Sequence, residues 1–338
     1  MGQSVIVPHQ DPTDSRKTSR MALWKHPECR VVVAMLGLLA LSEGAMRLME
    51  SKLSMDVAHL KQIPQIAKNL SVHPADQTRI LFIGNSLTRY GVDVETFQEE
   101  IHQYYDEPVN IAKVVPDNSK VADWSYAYRN FFHAARQPPK LLVIGFGNQH
   151  LEDAPSSHPE RLAQYYCTLN DLNELCRWDL PDIESRLEYA VASSSVLYAN
   201  RDRVQRWGLD RLIPEYRGGV QTLNDLLQAA SPQKPSHATF QRLRMFIQEA
   251  QQDGVRVVLM ALPIGIEYEF NPELLHLTHE MQVPIVDCRY VPGLTRSHLF
   301  DGLHLDPDGA RLITRHLAHE LHGRVGKVAA ARRQQAFN

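Results

Sequence analysis

Only four of the 338 residues are cysteine, too few for a small disulfide-stapled fold. Charge of one sign is not in excess. The 36 Lys and Arg residues stand against 39 Asp and Glu, a net charge of −3. That balance argues against the basic surface through which proteins neutralise nucleic-acid phosphates, so no nucleic-acid partner is expected. Glycine and proline, at 17 and 20 residues, are too sparse for a collagen-like or low-complexity chain. No internal repeat is evident. Neither a Gly-x-x-x-x-Gly-Lys-Ser/Thr loop nor a strand-linked Gly-x-Gly-x-x-Gly is present to cradle a phosphate, and no cofactor is expected. Long apolar runs are scarce, which excludes a polytopic membrane protein. What remains is ordinary globular composition, 43% apolar and 22% charged. The length suits two domains, or one α/β domain with additions.

The one long apolar run is VVVAMLGLLAL at 31–41. It resumes after Ser42, Glu43 and Gly44 with Ala45, Met46, Leu48 and Met49. Residues 30–49 are read as a signal-anchor transmembrane helix. Arg16, Lys17, Arg20, Lys25 and Arg30 precede it against Asp11, Asp14 and Glu28, with Trp24 as an interfacial anchor. This positive-inside pattern predicts a single-pass protein with a cytoplasmic amino terminus and the rest outside. Glu43 is costly in lipid, but Arg47 lies one helical turn on and can pair with it. A cleaved signal peptide and a buried soluble helix remain as alternatives, although LSEGAMR offers no small-x-small cleavage site. Myristoylation is unsupported because Ile6 stands where Ser or Thr is needed. Residues 1–29 read as a disordered tail and 50–77 as a polar, partly helical connector.

From residue 78 onward the pattern alternates. Short apolar runs at 79–84 (RILFIG), 108–115 (PVNIAKVV), 140–146 (KLLVIGF), 255–262 (VRVVLMAL) and 283–288 (VPIVDC) predict buried strands. Helical patterns cover 94–105, with Asp93 placed to cap it, then 121–136, 160–176, 182–205, 239–252 and 307–322. Residues 208–236 look irregular around a short helix at 223–229. Strands alternating with helices predict an α/β fold, a three-layer αβα sandwich with a five-stranded parallel sheet of flavodoxin-like type. This domain spans 78–325, carries a helical insertion at about 155–236, and is followed by a flexible tail at 326–338. In such sheets ligands bind at the carboxyl ends of the strands.

Three of those ends carry chemistry. After the first run comes Gly84-Asn85-Ser86-Leu87-Thr88, a strand-to-helix turn that suits an exposed nucleophile; Ser86 or Thr88 could equally be a helix cap. Near the carboxyl terminus stands Asp301-Gly302-Leu303-His304. A serine needs a base, and a histidine needs a carboxylate to fix its tautomer. An Asp three residues before a His on a turn can present both to one side. After the third run comes Gly145-Phe146-Gly147-Asn148, whose Asn148 offers a side-chain donor to a developing oxyanion.

Together these blocks resemble the SGNH hydrolase superfamily, the GDSL esterases and lipases, over roughly residues 78–323. The resemblance implies the SGNH hydrolase fold and an acyl-serine chemistry. Ser86 matches the nucleophile, His304 the base, Asp301 its orienting carboxylate and Asn148 the oxyanion donor, beside the Ser86 N–H. The family's second-block glycine is replaced. The turn reads Val115-Pro116-Asp117-Asn118-Ser119, so Asp117 or Asn118 stands where the glycine is expected. Both residue types tolerate left-handed geometry and can offer a backbone N–H, and Asn118 is taken as the third oxyanion donor. The carboxylate of Asp117 would disturb an oxyanion unless it points away. The third block also departs, reading Gly-Phe-Gly-Asn-Gln.

Anchor and insertion together look like anchored SGNH proteins implicated in O-acetylating cell-envelope polysaccharides. That analogy implies an acyl ester or polysaccharide substrate and a membrane acyl-donor partner protein. It leaves hydrolysis and transfer both open. A second class is a weak or inactive SGNH-fold envelope protein used for glycan binding or scaffolding.

The remaining candidates read as structural. His150, Glu152 and Asp153 lack a metal-ligand spacing, and His276 and His279 suit a solvated helix face, so no metal is expected. Cys167 and Cys176 could pair if the domain is exported, and Cys288 reads as buried. Trp124, Tyr126, Tyr128, Phe131 and Phe132 read mainly as core, with one or two able to line an acyl or sugar pocket.

Overall fold

β-Branched and leucine-rich runs that are apolar on both faces can be satisfied only inside a sheet covered on both sides. The chain does this. In the computed structural model, which describes residues 26–72, 78–103, 109–133, 138–213 and 238–336, two helices come first, α1 (Pro27–Leu53) and α2 (Met55–Val72). Then follow β1 (Thr78–Ile83), α3 (Ser86–Gly91), α4 (Val94–His102), β2 (Val109–Val114), α5 (Val121–Phe131) and β3 (Leu141–Phe146). The insertion contributes α6 (Leu172–Trp178), α7 (Ile183–Ser194), α8 (Val196–Ala199) and α9 (Arg201–Leu212). The chain closes with α10 (Gln241–Gln252), β4 (Arg256–Ala261), α11 (Pro272–Glu280), β5 (Ile285–Asp287) and α12 (Pro307–Ala336). All five strands are parallel, in the order β2-β1-β3-β4-β5.

Alternate strand residues feed two separate cores, as a pleated sheet requires. Leu81, Ile83, Leu142, Ile144 and Leu259 pack with α2, α5 and α10. Ile80, Phe82, Leu141, Val143, Val258 and Met260 pack with α4 and α12 on the other face. The expected three-layer αβα sandwich is therefore the architecture found. The strand order switches direction at β1 and β3, which places their carboxyl ends at a topological switch point.

Several expected boundaries shift. The connector expected over 50–77 is helical as far as Val72, and its helix α2 buries Val57, Leu60, Ile63 and Leu70. Its polar residues and Pro64 disguise that stripe. The helix expected over 160–176 breaks near Cys167, where Thr168 caps the next turn and receives Asp171 in return. The one expected over 182–205 breaks at Ser195 and Asn200. Residues 326–336, expected as a flexible tail, continue α12. Of the tail expected over 1–29, residues 27–29 instead open α1, which also carries Arg30 of the basic flank. Residues 1–25 and the short helix expected at 223–229 lie outside the described residues. Cys167 and Cys176 are free thiols, and Cys288 is buried as expected.

The insertion is locked to the core. Asp179 pairs with Arg242 of α10 at 3.1 Å, both essentially buried, and accepts from the Tyr126 hydroxyl and the Ser156 N–H. Trp124, Tyr126 and Tyr128 are fully buried and Phe132 nearly so, so these four line no substrate pocket. Helix α1 carries an apolar window long enough to cross a membrane, with none of that window buried.

Candidate active site

Two glycines let α3 sit directly on the strand ends. A Cβ at Gly84 would lie 2.1 Å from the Thr88 hydroxyl, and one at Gly145 would lie 2.0 Å from it. Neither position admits a side chain unless Thr88 retreats. The helix therefore starts at the sheet surface, and Ser86 is its first residue. The cap is Asn85, not Ser86 or Thr88: its Oδ1 accepts from Leu87 N at 3.0 Å. That leaves the serine hydroxyl free for chemistry.

The Ser86 Oγ lies 2.8 Å from His304 Nε2. The other ring nitrogen, Nδ1, lies 2.7 Å from Asp301 Oδ2. The second oxygen of Asp301 accepts the N–H groups of Leu303 and His304, at 3.0 and 2.7 Å. This Asx turn requires a left-handed residue, supplied by Gly302 at φ 80°. A bridge between Leu299 and Leu305 closes the loop. Burial alone would raise the Asp301 carboxyl, but the His304 ring and the two N–H groups outweigh it and hold it below the usual carboxylate range. The three residues thus form one continuous hydrogen-bonded chain.

Asn118 and Asn148 sit on the turns after β2 and β3, either side of Ser86, and both are exposed. They have φ of 48° and 44°, two of the three non-glycine residues with positive φ among the described residues. Left-handed backbone at both positions is strain held in place by the surrounding structure. The Asn118 amide reaches His158 Nε2 at 3.1 Å. The Asp117 carboxylate is drawn to Arg89 at 3.2 Å. Burial nevertheless raises its pKa, with Arg89 opposing.

Reading by motif missed the residues that tie these turns together. Asn85 Nδ2 donates to Ser119 O at 3.1 Å and lies 3.2 Å from His150 Nδ1, which also accepts from Gly147 N at 3.2 Å. One amide and one imidazole thus join the ends of β1, β2 and β3. With two donors aimed at Nδ1, His150 is the neutral tautomer protonated at Nε2. Asp153, considered beside it for a metal, instead caps α10 by accepting from Gln241 N and Arg242 N. Behind the β2 turn, Asp56 of α2 accepts from Asp117 N at 2.7 Å, and His59 accepts from Val115 N at 2.9 Å. Exposed rings also flank His304. Tyr90 and Phe300 have centroids 5.0 and 6.0 Å from that of His304. The only sequence sign of Tyr90 is its position four residues after Ser86, one helical turn away.

Burial depresses both His59 and His150 to about 4, aided by Arg89 and Lys113 around the first and Lys120 beside the second. In the unfolded chain both protonate near 6.5. The unfolded state therefore binds protons first, and stability is lost as pH falls from about 6.5 towards 4. Each group should contribute on the order of 3 kcal/mol to that loss. Denaturant midpoints measured across this range should fall steeply for the wild type and less steeply for His150→Gln. Parallel slopes would show that the ring is not neutral in the fold.

No protein-family profile matches the chain. No curated protein matches it either. Among solved structures it is similar to the acetylxylan esterase Axe2 from Geobacillus stearothermophilus, at 13% identity over 72% of this chain and 93% of that one, with a TM-score of 0.37. It is also similar to a lipase/acylhydrolase from Enterococcus faecalis, at 15% identity over 73% and 97%, with a TM-score of 0.37. In its parallel αβα sheet and in the order of its Ser, Asn and Asp-x-x-His blocks, the chain is similar to the SGNH hydrolases.

Proposed function

We propose that this chain is a serine-dependent esterase or O-acyltransferase of SGNH type. The observation that carries the reading is the unbroken chain from Ser86 Oγ through His304 to Asp301, with links of 2.8 and 2.7 Å. A serine hydroxyl hydrogen-bonded to a carboxylate-held imidazole is the arrangement acyl transfer needs. Ser86 Oγ attacks the acyl carbonyl as His304 Nε2 takes its proton. The Asp301 carboxylate holds Nδ1–H and stabilises the imidazolium. The Ser86 N–H, Asn118 and the Asn148 side chain receive the oxyanion. His304 then protonates the leaving alcohol. Water or a second hydroxyl takes the acyl group from Ser86, with His304 again as base.

The exposed Tyr90 and Phe300 rings beside His304 favour a substrate with a flat, partly apolar face, and a pyranose ring carrying an O-acetyl group fits. Helix α1 is the membrane anchor of this reading, with its amino terminus cytoplasmic and the sheet outside. A fluorophosphonate probe should label Ser86 in the full chain and fail to label Ser86→Ala. Equal inertness of both proteins towards the probe and towards aryl acetates would favour the non-catalytic glycan-binding class. With an acetylated donor and a polysaccharide present, free acetate as sole product would mark a hydrolase, and acetylated glycan a transferase.

A further inference from the structure

The Glu43 carboxylate, within the apolar helix α1, is not left to lipid. It accepts from Val196 N at 2.8 Å, Leu197 N at 3.0 Å and the Ser195 hydroxyl at 2.9 Å, and pairs with Arg47 at 2.8 Å. Arg47 in turn donates to Ser194 O. These contacts fix the start of α8 against α1 at the carboxyl end of the apolar run. One turn back along α1, roughly 6 Å nearer its amino end at 1.5 Å per residue, Leu39 faces the insertion. There it shares a mostly apolar groove of ≈570 Å³ with Val191 of α7, Leu197 and Tyr198 of α8, and Val204 of α9, which Arg201 and Gln205 of α9 also line. Leu39 and Val191 are 56% and 43% exposed, so the groove is open. Exposed Trp207 lies three residues beyond Val204, on the same face of α9.

We infer that this groove is a lipid site that holds an acyl chain of an outer-leaflet phospholipid, seating the insertion on the membrane. The inference rests on the anchor reading of α1. If residues 31–41 lie in hydrocarbon, a groove lined by Leu39 opens into the same hydrocarbon. An apolar wall of Val191, Leu197 and Val204 on its other side then has lipid chains as its neighbours. Tyr198 and Trp207 supply the amphipathic rings that settle at the headgroup level. Clamp and groove together would hold the catalytic sheet in one pose above the bilayer instead of leaving it on a tether.

The test reconstitutes the full chain in phosphatidylcholine–phosphatidylglycerol vesicles containing a phosphatidylcholine with a diazirine in one acyl chain. After irradiation, labelled peptides are mapped. Label is expected on α1 and, separately, within residues 191–207. Val204→Asp and Val191→Asp, each checked for retained probe labelling of Ser86, should cut the second set roughly tenfold, the penalty of a carboxylate against hydrocarbon. The α1 set and flotation with vesicles should stay unchanged. Label on α1 alone, a second set indifferent to both substitutions, or cross-links to a second copy of the chain in place of lipid would overturn the lipid site while leaving the anchor standing. Failure of the wild type to float would remove the anchor reading, and the lipid site with it.

Discussion

Asp301→Asn should lower turnover by about 10³–10⁴-fold while leaving the fold and substrate binding nearly intact. The amide oxygen can still accept from Leu303 N and His304 N, so the loop keeps its shape. The amide nitrogen, however, replaces the Oδ2 that lies 2.7 Å from His304 Nδ1. It can only donate there, which forces the ring proton onto Nε2. That nitrogen then faces Ser86 Oγ at 2.8 Å as a donor and cannot take the serine proton. The same change removes the negative charge that stabilises the imidazolium. Steady-state rates on an aryl acetate and the rate of Ser86 phosphonylation should fall together, with KM little moved and thermal midpoint within a few degrees of wild type. A loss under about tenfold would show that His304 does not depend on Asp301, and the triad assignment would fail.

Much of this was legible because it is local. Each strand centres on a short apolar run, interrupted in β2 by Asn110 and Lys113, and each of the Ser86, Asn148 and Asp301–His304 blocks sits within a few residues of a strand end or a helix start. The supporting residues are not local. Asp56 meets Asp117 across 61 residues of sequence, and Arg161 reaches Asp56 across 105. No spacing rule connects them. His150 drew attention only as a metal ligand, since its bridge between Asn85 and Gly147 exists only once β1 and β3 are paired. Helix α2 hid its buried stripe behind polar neighbours and a proline. The insertion's breaks at Ser195 and Asn200 depend partly on Glu43, over 150 residues earlier, which caps α8 from outside. What pattern reading separated as connector, insertion and catalytic domain is one interlocked body at the β2 turn.

Asp56 is where that interlocking should be measurable. Its carboxylate is buried, accepts from Asp117 N at 2.7 Å, and faces three guanidinium groups from two further parts of the chain: Arg161 at 3.3 Å, Arg203 at 3.6 Å and Arg89 at 3.8 Å. Arg161 and Arg203 belong to the insertion, and Arg89 to the helix that begins with Ser86. The N–H that Asp56 holds belongs to the residue before Asn118, whose left-handed φ of 48° shapes the turn. Asp56→Ala would leave the Arg161 charge without its nearest partner and should cost about 3–5 kcal/mol, enough to compromise folding. Asp56→Asn keeps an acceptor of the same shape and removes only the charge. The folded variant should lose roughly ten- to a hundredfold in kcat with KM nearly constant, a fraction of what deleting an oxyanion donor costs. Asp56→Glu, which restores the charge one methylene further out, should recover part of that loss. Phosphonylation of Ser86 should slow in parallel, because the tetrahedral adduct needs the same donors. If Asp56→Asn lowers the thermal midpoint yet leaves kcat and phosphonylation unchanged, Asp56 is a stabilising residue alone, and the β2 turn takes its catalytic geometry from elsewhere.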